Sequence, residues 1–357
     1  MNENQTKMKL TLEDGTVFEG RPFGARCATN GEVVFNTGMV GYPESLTDPS
    51  YRGQILTITY PLIGNYGVPG NEKDDGLLRY FEANQIQIRG LIVADYSEQH
   101  SHWNAKRSLA QWLIDENIPA ITGIDTRALT KTLREKGTML GKITFDNHDI
   151  EFNDPNKRNL VAEVSIKEPV VYEKGKKKIV LVDCGVKHNI IRAFLKRNIT
   201  VMRVPWDYDF TKEKADGVLL SSGPGDPKMC EATIEHMKKA LTMNRPILGI
   251  CLGSQILALA SKADTYKLKY GHRSQNQPAV EAGTKRCYIT SQNHGYAVRT
   301  ETLPQDWREW FYNNNDETNE GVLHISKPFF GTQFHPEASP GPDDTEIIFD
   351  MFMRAMG

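Results

Sequence analysis

Gly249-Ile250-Cys251-Leu252-Gly253 sets a thiol between two glycines, after the apolar run Pro246 to Ile250 and before a helix-like stretch. A strand running straight into a helix makes a tight turn, and glycines on either side remove the Cβ atoms that would crowd it. The Cys251 thiol would then stand at a helix N-terminus. There, unpaired amide N–H groups and the helix dipole favour thiolate over thiol and can stabilise a developing oxyanion. The competing reading is a buried structural cysteine, the commoner fate of this residue type.

A thiol nucleophile needs a base, and the base needs an acceptor to orient it. Phe334-His335-Pro336-Glu337 offers both at the end of the strand-like Pro328 to Phe334. His335 titrates near neutrality, and Glu337, two residues on, can hold one ring nitrogen and stabilise the imidazolium. Their joint appearance favours a Cys251-His335-Glu337 triad. Gln292-Asn293-His294-Gly295-Tyr296 supplies a rival base in His294, but no carboxylate follows it at short spacing, which ranks it behind His335. Ser222-Gly223-Pro224-Gly225-Asp226-Pro227 is glycine-rich yet lacks the Gly-x-x-x-x-Gly-Lys-Ser/Thr pattern, so it does not support nucleotide binding. Its backbone N–H groups are expected to face Cys251 and hold a tetrahedral oxyanion, against the simpler reading of a plain turn.

The elements that must position these groups have a βαβ rhythm. Lys178–Asp183, Thr200–Val204, Gly217–Leu220 and Ile247–Cys251 read as short buried strands, separated by the amphipathic stretches Asn189–Arg197 and Glu231–Met243 and followed by a helix to Lys262. Further strands are expected at Lys267–Gln277, Arg286–Thr290 and Val322–Ile325, and a closing helix at Thr345–Met356. This is the pattern of an α/β domain with a mainly parallel sheet, helices on both faces, and ligands at the carboxyl ends of the strands. The segment before it reads as a smaller mixed α+β domain. Its strands are expected at Met8–Leu12, Thr16–Phe18, Glu32–Phe35, Ile55–Thr59 and Gln87–Ala94, and its helices at Ser108–Asp115 and Arg127–Lys136, stopped by Gly137. The expected division is 1–150, a polar linker 151–177 with the solvated run Lys174 to Lys178, and 178–357.

A length of 357 residues accommodates two domains, and a net charge of −2 gives no electrostatic footprint for nucleic acid or an anionic membrane. The polar start Met1 to Lys7 lacks an apolar signal core, and no stretch approaches the roughly 20 apolar residues that span a bilayer. A cytoplasmic location is expected. Cys27, Cys184, Cys230, Cys251 and Cys287 are scattered without Cys-x-x-Cys spacing, which argues against disulfides and a zinc site. No metal centre is expected.

Together, Gly249 to Gln255 and His335 to Glu337 resemble the class I, triad-type glutamine amidotransferases. The likeness extends beyond these two motifs: upstream, Phe35 to Met39, Gly41 to Tyr51, Thr59 to Asn65 and Gly123 to Arg127, and downstream of the elbow Gly271 to Pro278, are similar to the small-subunit family of carbamoyl-phosphate synthases. The resemblance implies hydrolysis of glutamine to glutamate, with ammonia passed to a separate, larger ATP-using subunit that makes carbamoyl phosphate. It implies that Cys251 attacks the carboxamide, amides near Leu252 and Gly225 hold the oxyanion, and His335 protonates the leaving ammonia before activating water, with Glu337 orienting it. It assigns glutamine binding to Ser50, Gly223, Gly225, Leu252, Gln255, Asn293, Gly295 and Tyr296, with Ser50 reaching in from the other domain. No cofactor is expected on this chain, with ATP and Mg on the partner. The expected partner is the large subunit, as a heterodimer or higher oligomer, with neither nucleic acid nor membrane. Two positions vary from the family pattern: Ser222 stands where Asn is usual, and Ser254 follows Gly253. The alternatives are a glutaminase subunit of another synthase, which the first 100 residues disfavour, and a catalytically silent interaction subunit.

Overall fold

The computed structural model describes residues 7–145 and 148–357, and the chain divides into two compact units, Met1–Lys157 and Arg158–Gly357. The first unit is built on a closed barrel. Its strands follow the order Met8–Leu12, Met139–Phe145, Thr29–Asn36, Gln54–Ile58, Gly90–Ile92, Ala120–Thr122 and Val17–Pro22, which pairs back onto Met8–Leu12. Period-two burial drives closure: Met8, Leu10 and Leu12 are fully buried, whereas Lys9 between them is exposed. Val34, Leu46, Leu56, Phe81, Leu91 and Trp112 form a packed core in this unit. Leu109–Asp115 starts where the Ser108 side chain accepts from Gln111 N at 3.1 Å, and Thr126–Lys136 where Asp125 accepts from Ala128 N at 2.8 Å. Gly137, at φ +103°, ends the second helix, as its sequence position predicts. The strand expected over Gln87–Ala94 is shorter, Gly90–Ile92, because Gln87 N is held by Leu46 O instead. The barrel closure itself was not anticipated.

The second unit carries a ten-stranded sheet. Thr200–Pro205, Lys178–Asp183, Gly217–Leu220, Ile247–Ile250 and Phe329–Thr332 are adjacent and parallel, forming the α/β core. Beyond Phe329–Thr332 the sheet continues antiparallel through Asn319–His324, Trp307–Asn313, Thr265–Glu281 and Cys287–Val298. Trp307–Asn313 was not foreseen. The two long strands run past their expected ends, so Gln292–Tyr296 lies within a strand and not after one. Part of the stretch read as linker is also ordered: Val161–Val164 is a helical turn, and Val170–Tyr172 pairs antiparallel with Thr200–Pro205 at the sheet edge.

Helices cover both faces, and two neighbouring phenylalanines show why. Successive strand side chains point to opposite faces. Phe329 packs into the cluster with Met237 and Ala240 of Glu231–Ala240 and Ile256 and Leu257 of Leu252–Ala260. Phe330 meets Phe352 of Ile347–Ala355 edge-on at 6.1 Å, and Phe352 in turn meets Phe194 of His188–Lys196 at 5.9 Å. Each fully buried Phe contributes about 1.5–3 kcal/mol by leaving water. The carboxyl ends of the parallel strands are thereby fixed between two helical layers. Among the described residues no helix is long and apolar enough to cross a membrane.

Candidate active site

The strand Ile247–Ile250 passes into the helix Leu252–Ala260 through one residue, Cys251, at φ +53° and ψ −108°. A side chain at positive φ is strained by about 1–3 kcal/mol, and such strain persists only where the surroundings impose it. Here the flanking glycines impose it. A Cβ on Gly249 would lie 2.6 Å from the Gly253 carbonyl group, and one on Gly253 would lie 2.3 Å from Leu220 O. Helix and strand therefore approach closer than any side chain permits, and the thiol is turned out at the strand end. Cys251 is 2 % exposed. Its Sγ lies 3.8 Å from Asn293 O and accepts from Gln333 Nε2 at 3.5 Å.

His335 enters from the strand Phe329–Thr332 and is tied down by its own N–H, which donates to Ser291 O at 2.9 Å. Its Nδ1 is 2.6 Å from Glu337 Oε1. Among the described residues, Nε2 is buried without a hydrogen-bond partner, while the Cys251 thiol is near enough to raise the imidazole's pKa. Burial opposes charge on the ring, but the Glu337 carboxylate and the Cys251 sulfur outweigh burial and the repulsion of Lys187, so the imidazolium is favoured above the ordinary 6.5. Burial pushes Glu337 up, and the Lys187 ammonium and the His335 ring more than reverse it, holding the carboxylate down at about 2. Lys187 Nζ sits 3.1 Å from the same Oε1 and donates to Ala338 O at 2.5 Å.

The glycine loop lies against the elbow. A Cβ on Gly223 would meet Leu252 Cδ2 at 2.8 Å and Cys184 O at 2.0 Å, so only glycine fits, and Gly225 takes φ +82°. Gln255 donates from Nε2 to Tyr296 O at 2.8 Å and to Gln333 Oε1 at 2.9 Å, drawing the elbow helix onto the strand that carries Asn293, Gly295 and Tyr296. The structure thus brings Gly223 to Leu252, Cys251 to Asn293, and Gln255 to Tyr296 within the second unit, while Gly225 faces Leu160 and Gly295 faces Arg273. Ser222 donates weakly from Oγ to Gly185 O at 3.4 Å and is fully buried. Ser50 lies in the first unit, on the turn Pro49–Tyr51 after the helix Tyr42–Thr47, where its N–H donates to the Asp48 carboxylate at 2.9 Å.

His294, the rival base, is engaged elsewhere: Nδ1 meets Tyr296 O at 2.8 Å and Nε2 meets Gln292 Oε1 at 3.2 Å. It does have a carboxylate neighbour, Glu320 at 3.8 Å, which sequence spacing hid because Glu320 comes from another strand. Lys187 was missed too. The only hint was a lysine at the end of a buried strand-to-helix loop, and nothing local points it at Glu337.

Residues 10–143 match the carbamoyl-phosphate synthase small chain, CPSase domain, and residues 180–355 match glutamine amidotransferase class-I. The chain is 52 % identical to the carbamoyl phosphate synthase arginine-specific small chain of Saccharomyces cerevisiae, covering 99 % of this chain and 89 % of that one. It is 54 % identical to the multifunctional protein CAD of Squalus acanthias and 52 % identical to the mitochondrial carbamoyl-phosphate synthase [ammonia] of Homo sapiens, covering 97 % and 96 % of this chain. It spans only 16 % and 23 % of those two longer proteins. The chain belongs to the carbamoyl-phosphate synthase small-chain family, with a class-I glutamine amidotransferase domain as its second unit.

Proposed function

We propose that this chain is the glutaminase subunit of a carbamoyl-phosphate synthase. The observation that carries the reading is the strained Cys251 elbow beside an imidazole whose far nitrogen is held at 2.6 Å by a buried carboxylate. Cys251 thiolate attacks the glutamine carboxamide carbon, and the oxyanion is held by amide N–H groups of Leu252 and the Gly223–Gly225 loop. His335 donates its Nε2 proton to the departing ammonia, leaving a glutamyl thioester, then removes a proton from the water that hydrolyses it to glutamate. Glu337 keeps the ring oriented and stabilises its charged form, and Lys187 neutralises the carboxylate in turn. Gln255, Asn293, Gly295 and Tyr296 shape the glutamine pocket; the assignment of Ser50 to the same substrate rests on the family motif.

Ammonia then passes to a large subunit that binds ATP and Mg and forms carbamoyl phosphate, with this chain acting in the cytoplasm. The test is glutamate release from glutamine, alone and with an ATP-using large chain, for wild type and Cys251→Ala. Release by wild type and its loss in the variant support the reading. Equal rates in the two refute it.

A further inference from the structure

Apart from the Cys251 centre, the second unit buries a polar cluster that the proposed chemistry leaves unused. His272 and His294 are cross-strand partners with ring centroids 4.9 Å apart, and Glu320 joins them from the next strand but one; all three are buried. His272 Nδ1 lies 3.2 Å and His294 Nε2 lies 3.8 Å from the same Glu320 Oε1. Gln292 Oε1 is 3.0 Å and 3.2 Å from those two nitrogens. On the outer side, His272 Nε2 meets Asp316 Oδ2 at 2.9 Å and His294 Nδ1 meets Tyr296 O at 2.8 Å.

Counting protons exposes a deficit. All four ring nitrogens face oxygen acceptors, and a neutral imidazole has one N–H, so two of the four contacts would set lone pair against lone pair. Turning the Gln292 amide over would aim its oxygen at Thr290 Oγ1, whose hydroxyl already donates to Gln277 O at 2.8 Å. Asn313 Nδ2 offers only long contacts of 3.4 Å to His272 Nδ1 and Glu320 Oε1. Protonating both rings would close the count but place two like charges in buried contact. A single divalent cation at the inner nitrogens supplies both missing charges and balances Asp316 and Glu320.

The geometry suits such an ion. In a tetrahedral zinc site with bonds of about 2.0–2.1 Å, neighbouring ligand atoms stand about 3.4 Å apart. The two histidine-to-Glu320 edges, 3.2 Å and 3.8 Å, bracket that value, and the ligand atoms of all three residues lie within 4.8 Å of one another, so any edge longer than the ideal one closes as the ion binds. A histidine that binds metal through one nitrogen characteristically donates from the other to a carboxylate or carbonyl, as Asp316 and Tyr296 are placed to accept here. Glu320 Oε2, buried and without a donor among the described residues, is a further oxygen for the ion. We propose that His272, His294 and Glu320, with Gln292 Oε1 beside them, bind one divalent transition-metal ion of zinc's borderline class. The ion would pin the hairpin strand bearing Asn293 and Gly295 to the strand Asn319–His324, and its binding does not depend on the glutaminase reading.

The test uses the full chain stripped with chelator, then titrated with Zn2+ against a chromophoric competitor and, separately, with Co2+. One ion per chain in both wild type and Cys251→Ser is expected. Affinity should fall at least about 10–100-fold in Glu320→Gln and binding should vanish in His272→Ala/His294→Ala, while bound Co2+ shows d–d bands without a thiolate charge-transfer band. No binding by wild type, equal binding by wild type and Glu320→Gln, or a thiolate band lost in Cys251→Ser would each overturn it. Glu320→Gln preserves shape, and its thermal melt reports folding. If the double histidine variant does not fold, Glu320→Gln alone decides.

Discussion

Replacing Glu337 by Gln keeps an oxygen near His335 Nδ1 and deletes the charge that holds the imidazolium. The carboxylate oxygen is 2.6 Å from the ring and 3.1 Å from Lys187 Nζ, and both contacts are buried. At an effective dielectric near 20, two unit charges about 3 Å apart interact by about 5–6 kcal/mol, a gross figure that burial and Lys187 reduce. An opposite charge at such range shifts a pKa by about 1–3 units net, or about 1.4–4 kcal/mol. His335 must be protonated to expel ammonia, so the alkaline limb of kcat/KM reports the loss of its proton and lies above 6.5 in the wild type. Glu337→Gln should move that limb down by about 1–3 units. Lys187→Met should move it up, because the ammonium opposes the imidazolium. Stability follows the same charges. The raised His335 contributes fully below 6.5 and loses its contribution as pH climbs through the folded value, whereas Glu337 contributes above 4.5 and loses it as pH falls toward about 2. The assay is the pH profile of glutamate release across the three proteins. An alkaline limb unmoved in Glu337→Gln and Lys187→Met alike would refute the electrostatic account of the triad.

Other outcomes follow from the elbow and its supports. Cys251→Gly should be more stable than Cys251→Ala by about 1 kcal/mol in urea melts, since glycine relieves the positive φ that alanine retains. Gly253→Ala should destabilise by about 1–3 kcal/mol or more and lower kcat, as its Cβ has Leu220 O at 2.3 Å; wild-type melting would exclude the close approach. Asp183 takes Arg203 Nη2 at 2.7 Å and the amides of Gly185 and Val186 at 3.0 Å and 2.8 Å. Asp183→Ala should therefore cost about 3–5 kcal/mol by stranding a mostly buried guanidinium, measured as the shift in denaturant midpoint.

The glycine-flanked Cys251 turn and the His335–Glu337 pairing were legible because each announces itself within a few residues: glycines on either side of Cys251, and Glu337 two positions from His335. The parallel core was legible for the same reason, through short apolar strands punctuated by amphipathic helices. What escaped the sequence is assembled at long range. Lys187 reaches Glu337 across 150 positions, His294 finds Glu320 from another strand, and the barrel closes through pairing of Met8–Leu12 with Met139–Phe145. Val170–Tyr172 was obscured by its surroundings, an edge strand set in a charged stretch where tertiary pairing overrides local composition. The extended hairpin hid its length in the same way, since Gln292–Tyr296 carries polar residues on buried strand positions.

The central claim is that glutamine is opened through a covalent bond to one particular sulfur. Acid-quenching the protein within the first turnover with glutamine and measuring intact and peptide masses tests it directly. The account predicts a single glutamyl adduct on the peptide carrying Cys251, absent from Cys251→Ser. Glutamate formation with no adduct, or an adduct on Cys27, Cys184, Cys230 or Cys287, would contradict it.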